Sequence, residues 1–228
     1  MDAPMPSPAD DFNIAGKDPQ ELGSELLRVL SAQQLDEPKA LALINANTNI
    51  EMVNAQSDTP LITASFRGFT AIALALIAKK ANVNARDMFG HSPVMLAATG
   101  GSEQIFDALL VKGSCLDTKN EFLQDAFFGA AEQGKDAILA KLILKGVKLE
   151  EPDHTGASPR MAALAKGHIS TAKLIDAAIF ARDLPLRQEQ ERKAEILRHI
   201  GDSFRDGLHV EQVAPLPAQF RKRPAFLP

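Results

Sequence analysis

The side chains best suited to catalysis or metal binding are one cysteine and five histidines, and they are scattered along the chain. Cys115 has no histidine at a matching place in the same stretch of sequence, so the base that a nucleophilic thiol needs is missing. The histidines do not have the spacing of a metal site; they are His91, His154, His168, His199 and His209. The glycines follow predicted helices rather than opening one after a strand, which excludes a phosphate-binding loop. We therefore expect no enzyme, and no catalytic, cofactor-binding or metal-binding residues.

A period of 33 residues runs through the middle of the chain instead. The recurring sets are Gly68, Gly101, Gly134 and Gly167; Ala64, Ala97, Ala130 and Ala163; Leu76, Leu109, Leu142 and Ile175; and Thr59, Ser92, Asp125 and Ser158. The members of the last set differ in identity, but each can cap the start of a helix. The chain is therefore a tandem array, and such arrays usually bind other macromolecules.

One period predicts two short helices and a turn. Thr59 is a suitable N-cap and Pro60 suits the first helical position, so a helix is expected over 61–67, ended by Gly68. A second helix is expected over about 70–79, followed by a segment rich in turn-forming residues. Helices of two to three turns are too short to be stable alone, so each pair must pack against its neighbours.

This pattern resembles the ankyrin repeat. The best match to its signature is Thr59-Pro60-Leu61-Ile62-Thr63-Ala64, followed by Gly68 and by Ala81-Asn82-Val83-Asn84-Ala85, and the resemblance covers about residues 24–180. It implies an all-α solenoid of helix–turn–helix repeats, in which β-turns project as fingers and the first helices line a concave face that holds a partner. It also implies an adaptor, an inhibitor or a host-directed bacterial effector, without choosing among them.

The chain departs from the signature in two ways. The signature histidine is replaced in each clear copy by an apolar residue, for which we expect burial between neighbouring repeats; the four are Ile62, Met95, Phe128 and Met161. In the fourth copy Ala126 replaces the proline, and Leu123 stands where other turns have Gly90 and Gly156. The pattern therefore predicts the finger at Leu123 less clearly than the others.

The predicted organisation has four parts. Residues 1–20 form a flexible leader and residues 21–184 the array, with repeats near 24–57, 58–90, 91–123, 124–156 and 157–184, of which the first is divergent. Pro185 is expected to break the pattern, so that 185–207 form a separate helix that caps the array. Residues 208–228 form a proline-rich basic tail.

The predicted partner-binding residues lie in positions that vary between repeats. At the finger tips these are Met88, Phe89, Glu121, Phe122 and His154; on the first helices they are Phe66, Arg67, Glu132 and Gln133. Phe89 and Phe122 are one period apart and are expected to form an apolar pair on adjacent fingers. The alternatives are that both rings fold back onto neighbouring turns, and that the charged residues form an ordinary solvated surface.

Composition agrees with an interaction protein. The net charge of -4 gives no reason to expect nucleic acid or a membrane as partner, and the N-terminal sequence lacks the features of a secretory signal. We expect a cytoplasmic monomer, with export by a route that needs no N-terminal signal as the alternative. The predicted function is a scaffold that binds another protein through the concave face and the finger tips. The alternative is a non-enzymatic regulatory, targeting or secreted effector protein whose tail carries the signal while the repeats only dock.

Overall fold

The computed structural model describes residues 14, 16–46 and 48–205, and for residues 187 and 199–205 only the course of the helix. The predicted tail, and most of the predicted leader, therefore lie outside the described residues. The helices in the described part are α1 (Pro19–Ser31), α2 (Glu37–Asn45), α3 (Pro60–Arg67), α4 (Thr70–Ala78), α5 (Pro93–Gly100), α6 (Glu103–Val111), α7 (Ala126–Glu132), α8 (Asp136–Leu144), α9 (Pro159–Ala165) and α10 (Ile169–Arg205). Packing divides the chain into two units, Met1–Asp176 and Ala177–Pro228.

The helices of the first unit stack as two layers. Helices α1, α3, α5, α7 and α9 pack on one another in sequence order, and α2, α4, α6 and α8 form the second layer behind them. The core between the layers contains the predicted apolar columns, including Leu76, Leu109 and Leu142, all with no exposed surface. The predicted all-α repeat architecture is confirmed.

The four predicted capping residues each stand at the N-cap of a first helix, and three of them make the capping hydrogen bond. The N–H groups of Ile62, Phe128 and Met161 donate to the side-chain oxygens of Thr59, Asp125 and Ser158. Ser92 is also the N-cap residue of its helix, as predicted, but its buried hydroxyl makes no hydrogen bond with the described residues. Pro93 at the first position, and the buried side chains that follow it, hold α5 without that bond.

The glycines that follow the first helices of the second to fifth repeats are required by their backbone conformation and, in three cases, also by lack of space for a side chain. All four adopt left-handed backbone, with φ between 66° at Gly134 and 82° at Gly101. A side chain from the next repeat also lies directly over three of them: a Cβ on Gly134 would sit 2.6 Å from Nδ1 of His168. The glycines that recur every 33 residues therefore end the first helices and also allow the following repeat to pack closely.

The first repeat differs from the others, as expected for an end repeat. Its first helix, α1, has 13 residues and begins at Pro19, before the predicted repeat boundary and within the predicted leader. Glu25 lies 2.6 Å from both Arg28 and Lys39. Hydrogen bonds from Arg28 and then Lys39 lower the pKa of Glu25 to about 2. This ion-pair cluster gives the beginning of the array a polar covering.

Two predictions about the end of the array need correction. Pro185 does not break the pattern, because α10 runs without interruption from Ile169 to Arg205 and contains it. Proline removes one backbone donor, and the turns on either side keep their own hydrogen bonds. Met161 is 56% exposed, whereas Ile62, Met95 and Phe128 are almost fully buried. The reason is that, among the helices of the described residues, none packs on α9 in the way that α9 packs on α7.

Asp125 gives a pH-dependent prediction. Burial raises the pKa of its carboxyl group, and the hydrogen bond from the Phe128 N–H and the charge of Lys119 offset only part of that rise. A carboxyl group whose pKa is higher in the folded state favours folding at low pH, and this contribution is lost as pH rises through that pKa. Asp125→Asn, which keeps an oxygen for the cap, should therefore raise the urea midpoint at pH 7.

The gain from Asp125→Asn should shrink as pH falls to about 4, because the wild-type carboxyl group then becomes neutral as well. Asp125→Ala, which removes both the charge and the cap, should be about 1 kcal/mol less stable than Asp125→Asn at both pH values. A gain for Asp125→Asn that is the same at both pH values would contradict the assignment.

Candidate partner-binding groove

Each finger is shaped by an asparagine or aspartate whose side chain holds the turn closed. The residues are Asn54, Asp87, Asn120 and Asp153, and each Oδ1 accepts from the backbone N–H groups two and four residues later. The backbone N–H of each also donates to the carbonyl four residues on. These turns fix the fingers locally. The sequence signal for them was a 33-residue spacing of Asn and Asp, which the sequence analysis missed.

Backbone hydrogen bonds then join each finger to the next. The N–H of Met88 donates to the carbonyl of Gln56, that of Glu121 to Phe89, and that of His154 to Phe122, at 2.9 to 3.0 Å. Neighbouring fingers are therefore connected at the tip as well as through the helices below.

The finger closed by Asn120, which the sequence pattern predicted least clearly, forms the same turn as the others. Leu123 takes the left-handed conformation (φ 60°) that Gly90 and Gly156 take in their turns. The adjoining hydrogen bond from Asn120 N–H to the Gln124 carbonyl is 2.9 Å long. A side chain in this conformation costs about 1–2 kcal/mol, which the turn hydrogen bonds offset.

Phe89 and Phe122 are each about two-fifths exposed, at 41% and 42%. Each ring contacts a histidine: Phe89 contacts His91 with ring centres 6.1 Å apart, and Phe122 contacts His154 at 5.5 Å. The tips therefore combine the two sequence interpretations, since the rings are partly accessible and also rest against the turns. The expected role of the two rings as a paired anchor stays a prediction.

A groove of about 380 Å³ opens between the fingers and the first helices of the first three repeats. Ile62 and Leu96 contribute apolar surface from α3 and α5. Phe66 and Arg67 line it at the end of α3, and Phe89 from the finger between α4 and α5. The finger side adds polar groups from Gln56, Asp58, Asp87 and His91. The groove thus brings together three predicted partner-binding residues, Phe66, Arg67 and Phe89.

Two polar side chains of the groove are held in place by their neighbours. Nδ1 of His91 donates to Oδ2 of Asp87 over 2.8 Å, because the carboxylate can only accept. Nη2 of Arg67 donates to the carbonyl of Ala32 over 3.0 Å, and the guanidinium lies 5.2 Å from the centre of the Phe69 ring. The walls of the groove are therefore ordered before any partner arrives.

The other predicted site residues lie outside this groove. Glu132 is 3.8 Å from Lys166, a loose surface ion pair that agrees with the solvated-surface alternative. Met88, Glu121 and His154 take part in the finger-to-finger hydrogen bonds through their backbones. Gln133 follows α7 and is exposed. Contact of these residues, and of Phe122, with a partner stays a prediction.

A second cavity, of about 290 Å³, is bordered by side chains that pair with one another. Lys119 and Lys148 lie 2.6 and 2.8 Å from the carboxylate of Glu151. Hydrogen bonds from these two lysines lower the pKa of Glu151 to about 2. Because Lys119, Lys148 and Glu151 already pair with one another, this cavity is a less suitable place for a partner than the groove.

Groups suited to chemistry do not converge in the described part of the chain. No set of three or more His, Cys, Asp or Glu residues there is arranged to hold a metal ion. Cys115 is exposed, and its backbone N–H donates to the side chain of Asn84. None of the described helices has both the length and the hydrophobicity needed to cross a bilayer.

Comparison with known proteins identifies the repeat. Residues 29–120 match the family model described as ankyrin repeats, in 3 copies. No curated protein matches the chain. The match agrees with the resemblance inferred from the sequence. The predicted total of about five repeats stays a prediction, although helix pairs with the same spacing continue after residue 120.

The hydrogen bonds of Asp87 predict a difference between two substitutions. Asp87→Asn keeps the oxygen that accepts from Phe89 and His91, and asparagine already stands at the same place in the fingers of Asn54 and Asn120. It gives up only the bond that Oδ2 accepts from the His91 ring, so it should cost at most about 1 kcal/mol of the free energy of unfolding in urea, whereas Asp87→Ala, which loses all three bonds, should cost about 2–3 kcal/mol. Equal losses would show that charge, rather than these hydrogen bonds, stabilises the finger.

Proposed function

We propose that this chain, which belongs to the ankyrin repeat family through residues 29–120, binds a partner protein in the groove between its fingers and first helices. Ankyrin repeats are generally protein–protein interaction modules. The proposal adds the place of contact: the part of the groove lined by Phe66, Arg67 and Phe89. The protein then acts as a non-enzymatic scaffold.

The observation that carries the proposal is the exposure of Phe66. Its side chain is 67% exposed and stands at the rim of a concave apolar surface, beside the partly exposed ring of Phe89. A single exposed apolar residue is ordinary, but aromatic side chains around a cavity with a few polar groups are typical of a binding site. Burial of such anchors supplies most of the binding energy in protein interfaces.

The rigidity of the surroundings supports the same conclusion. Phe66 belongs to a helix capped by Thr59, Phe89 to a turn closed by Asp87, and Arg67 is tied to Ala32. Groups already fixed in position lose little conformational entropy when a partner binds. The groove is therefore suited to recognition without rearrangement.

Affinity capture with matched variants tests the proposal. The groove variant carries Phe66→Ala and Phe89→Ala. The control carries Val111→Ala and Leu144→Ala, which remove apolar side chains that are 84% and 87% exposed at the ends of second helices α6 and α8. Loss of two anchors should weaken partner binding by at least ~2 kcal/mol, or about thirtyfold, while the control keeps wild-type binding.

Urea unfolding of both variants separates loss of binding from loss of folding, because all four side chains are exposed or partly exposed. Recovery of the same proteins, in the same amounts, by the groove variant and the wild type would refute the proposal.

A third arm, deletion of residues 210–228, tests the alternative in which the tail carries the signal. Loss of the partner in that arm alone would favour the tail.

A further inference from the structure

The charges at the two ends of the groove suggest what kind of segment fits it. We propose that the groove binds an extended segment of the partner that presents a basic, an apolar and an acidic side chain at alternate positions. This inference rests on the proposed function and specifies the chemistry of the partner at that site. The basic side chain meets Asp58, the apolar one enters between Phe66 and Phe89, and the acidic one meets Arg67.

The first step is the position of the charges along α3. Asp58 directly precedes the cap residue Thr59, and Arg67 is the last residue of the helix, so the two mark opposite ends of α3. Both line the groove. With 1.5 Å of rise per residue, the 8 residues of α3 separate these ends by roughly 12 Å.

The second step is that neither charge is neutralised by another side chain within the described residues. The carboxylate of Asp58 accepts from the amide of Asn54 and from no basic side chain there. Arg67 donates to a backbone carbonyl and lies over an aromatic ring, and no described carboxylate pairs with it. The other acidic residue of the groove, Asp87, differs because it is paired with His91. Opposite charges from a partner would therefore complement both ends.

The third step is the apolar surface between the charges. Ile62 and Leu96 line the groove there, and the exposed surfaces of Phe66 and Phe89 flank them. The groove volume of about 380 Å³ leaves room for one apolar side chain of a partner between the two charges.

The spacing of an extended chain matches this arrangement. Alternate residues of a strand point to the same side, and each residue advances the chain by about 3.3 Å. Side chains at positions i, i+2 and i+4 therefore face the groove together, and the outer two are about 13 Å apart. That distance agrees with the separation between the ends of α3.

Fluorescence anisotropy with synthetic peptides tests the inference on the full chain. The two test peptides carry the core Arg-Ala-Leu-Ala-Glu and its reverse, Glu-Ala-Leu-Ala-Arg, each between the same Gly-Ser flanks, so that both chain directions are sampled. The control peptide, Ala-Arg-Leu-Glu-Ala, has the same composition but carries its charges on the side opposite the leucine. We expect at least one test peptide to bind at least tenfold more tightly than the control, and raising NaCl from 50 to 500 mM should weaken that binding.

Variants of the two charged residues identify the contacts. Asp58→Asn, which keeps an oxygen near Asn54, should remove the preference for arginine over glutamine in the peptide, while replacement of the leucine by alanine still weakens binding. Arg67→Gln should remove the preference for glutamate over glutamine at the acidic position of the peptide. Because Arg67 also donates to the carbonyl of Ala32, the urea midpoint of this variant is measured to check that it remains folded. Loss of both preferences in each variant would overturn the assignment of one charge to each end.

The peptide and affinity-capture results together distinguish failure of this inference from failure of the proposed function. If the Phe66/Phe89 variant loses its captured proteins, yet neither test peptide binds better than the control, the charge pattern is wrong and the function stands. If that variant captures the same proteins as the wild type, the function fails and this inference fails with it.

Discussion

The structure depends on the burial of each helix pair against the next. A helix of 7 to 9 residues is too short to be stable in isolation, and the repeats after the first consist of such helices as far as Leu144. Their apolar columns become buried only where the neighbouring repeat covers them. Ile62, Met95 and Phe128 occupy one column and are at most 3% exposed, and they replace a polar position of the family signature with apolar contact. Stability in this array therefore belongs to the interfaces between repeats more than to any single repeat.

The groove is a consequence of the same stacking. Once the first helices are fixed side by side, their fingers are close enough for each to donate one backbone hydrogen bond to its neighbour. The Asn and Asp column then closes each turn, so that Phe89 keeps a defined position relative to Phe66 and Arg67 on the helix. The groove is therefore an ordered surface whose exposed aromatic rings and unpaired charges take no part in packing the core.

Periodicity made most of the first unit predictable. Local chemistry that repeats every 33 residues predicts the cap at Thr59 and the left-handed Gly68. It also predicts the two helices α3 and α4 on either side of that glycine. Local chemistry did not decide Pro185, because a long helix can tolerate the loss of one hydrogen bond. Local chemistry also did not decide the exposure of Met161, which depends on whether another helix packs on α9; none of the described helices does so as α9 does on α7.

The candidate site was only partly predictable. Phe66, Arg67 and Phe89 were identified because they vary between repeats, but their convergence on one groove required coordinates. The rings of Phe89 and Phe122 contact His91 and His154, residues that the sequence analysis considered only as possible ligands or tip residues. Side-chain direction at a turn depends on the neighbouring turn, and a single repeat does not contain that information.

The most direct measurement compares two methionines in one column. Met95 is 3% exposed because the fourth repeat covers it, whereas Met161, two periods later, is 56% exposed. If packing between neighbours supplies the stability, Met95→Ala should lower the free energy of unfolding by about 2–5 kcal/mol, and Met161→Ala by less than about 1 kcal/mol. Equal losses at the two positions would contradict the account, because the same side chain would then contribute equally with and without a covering repeat.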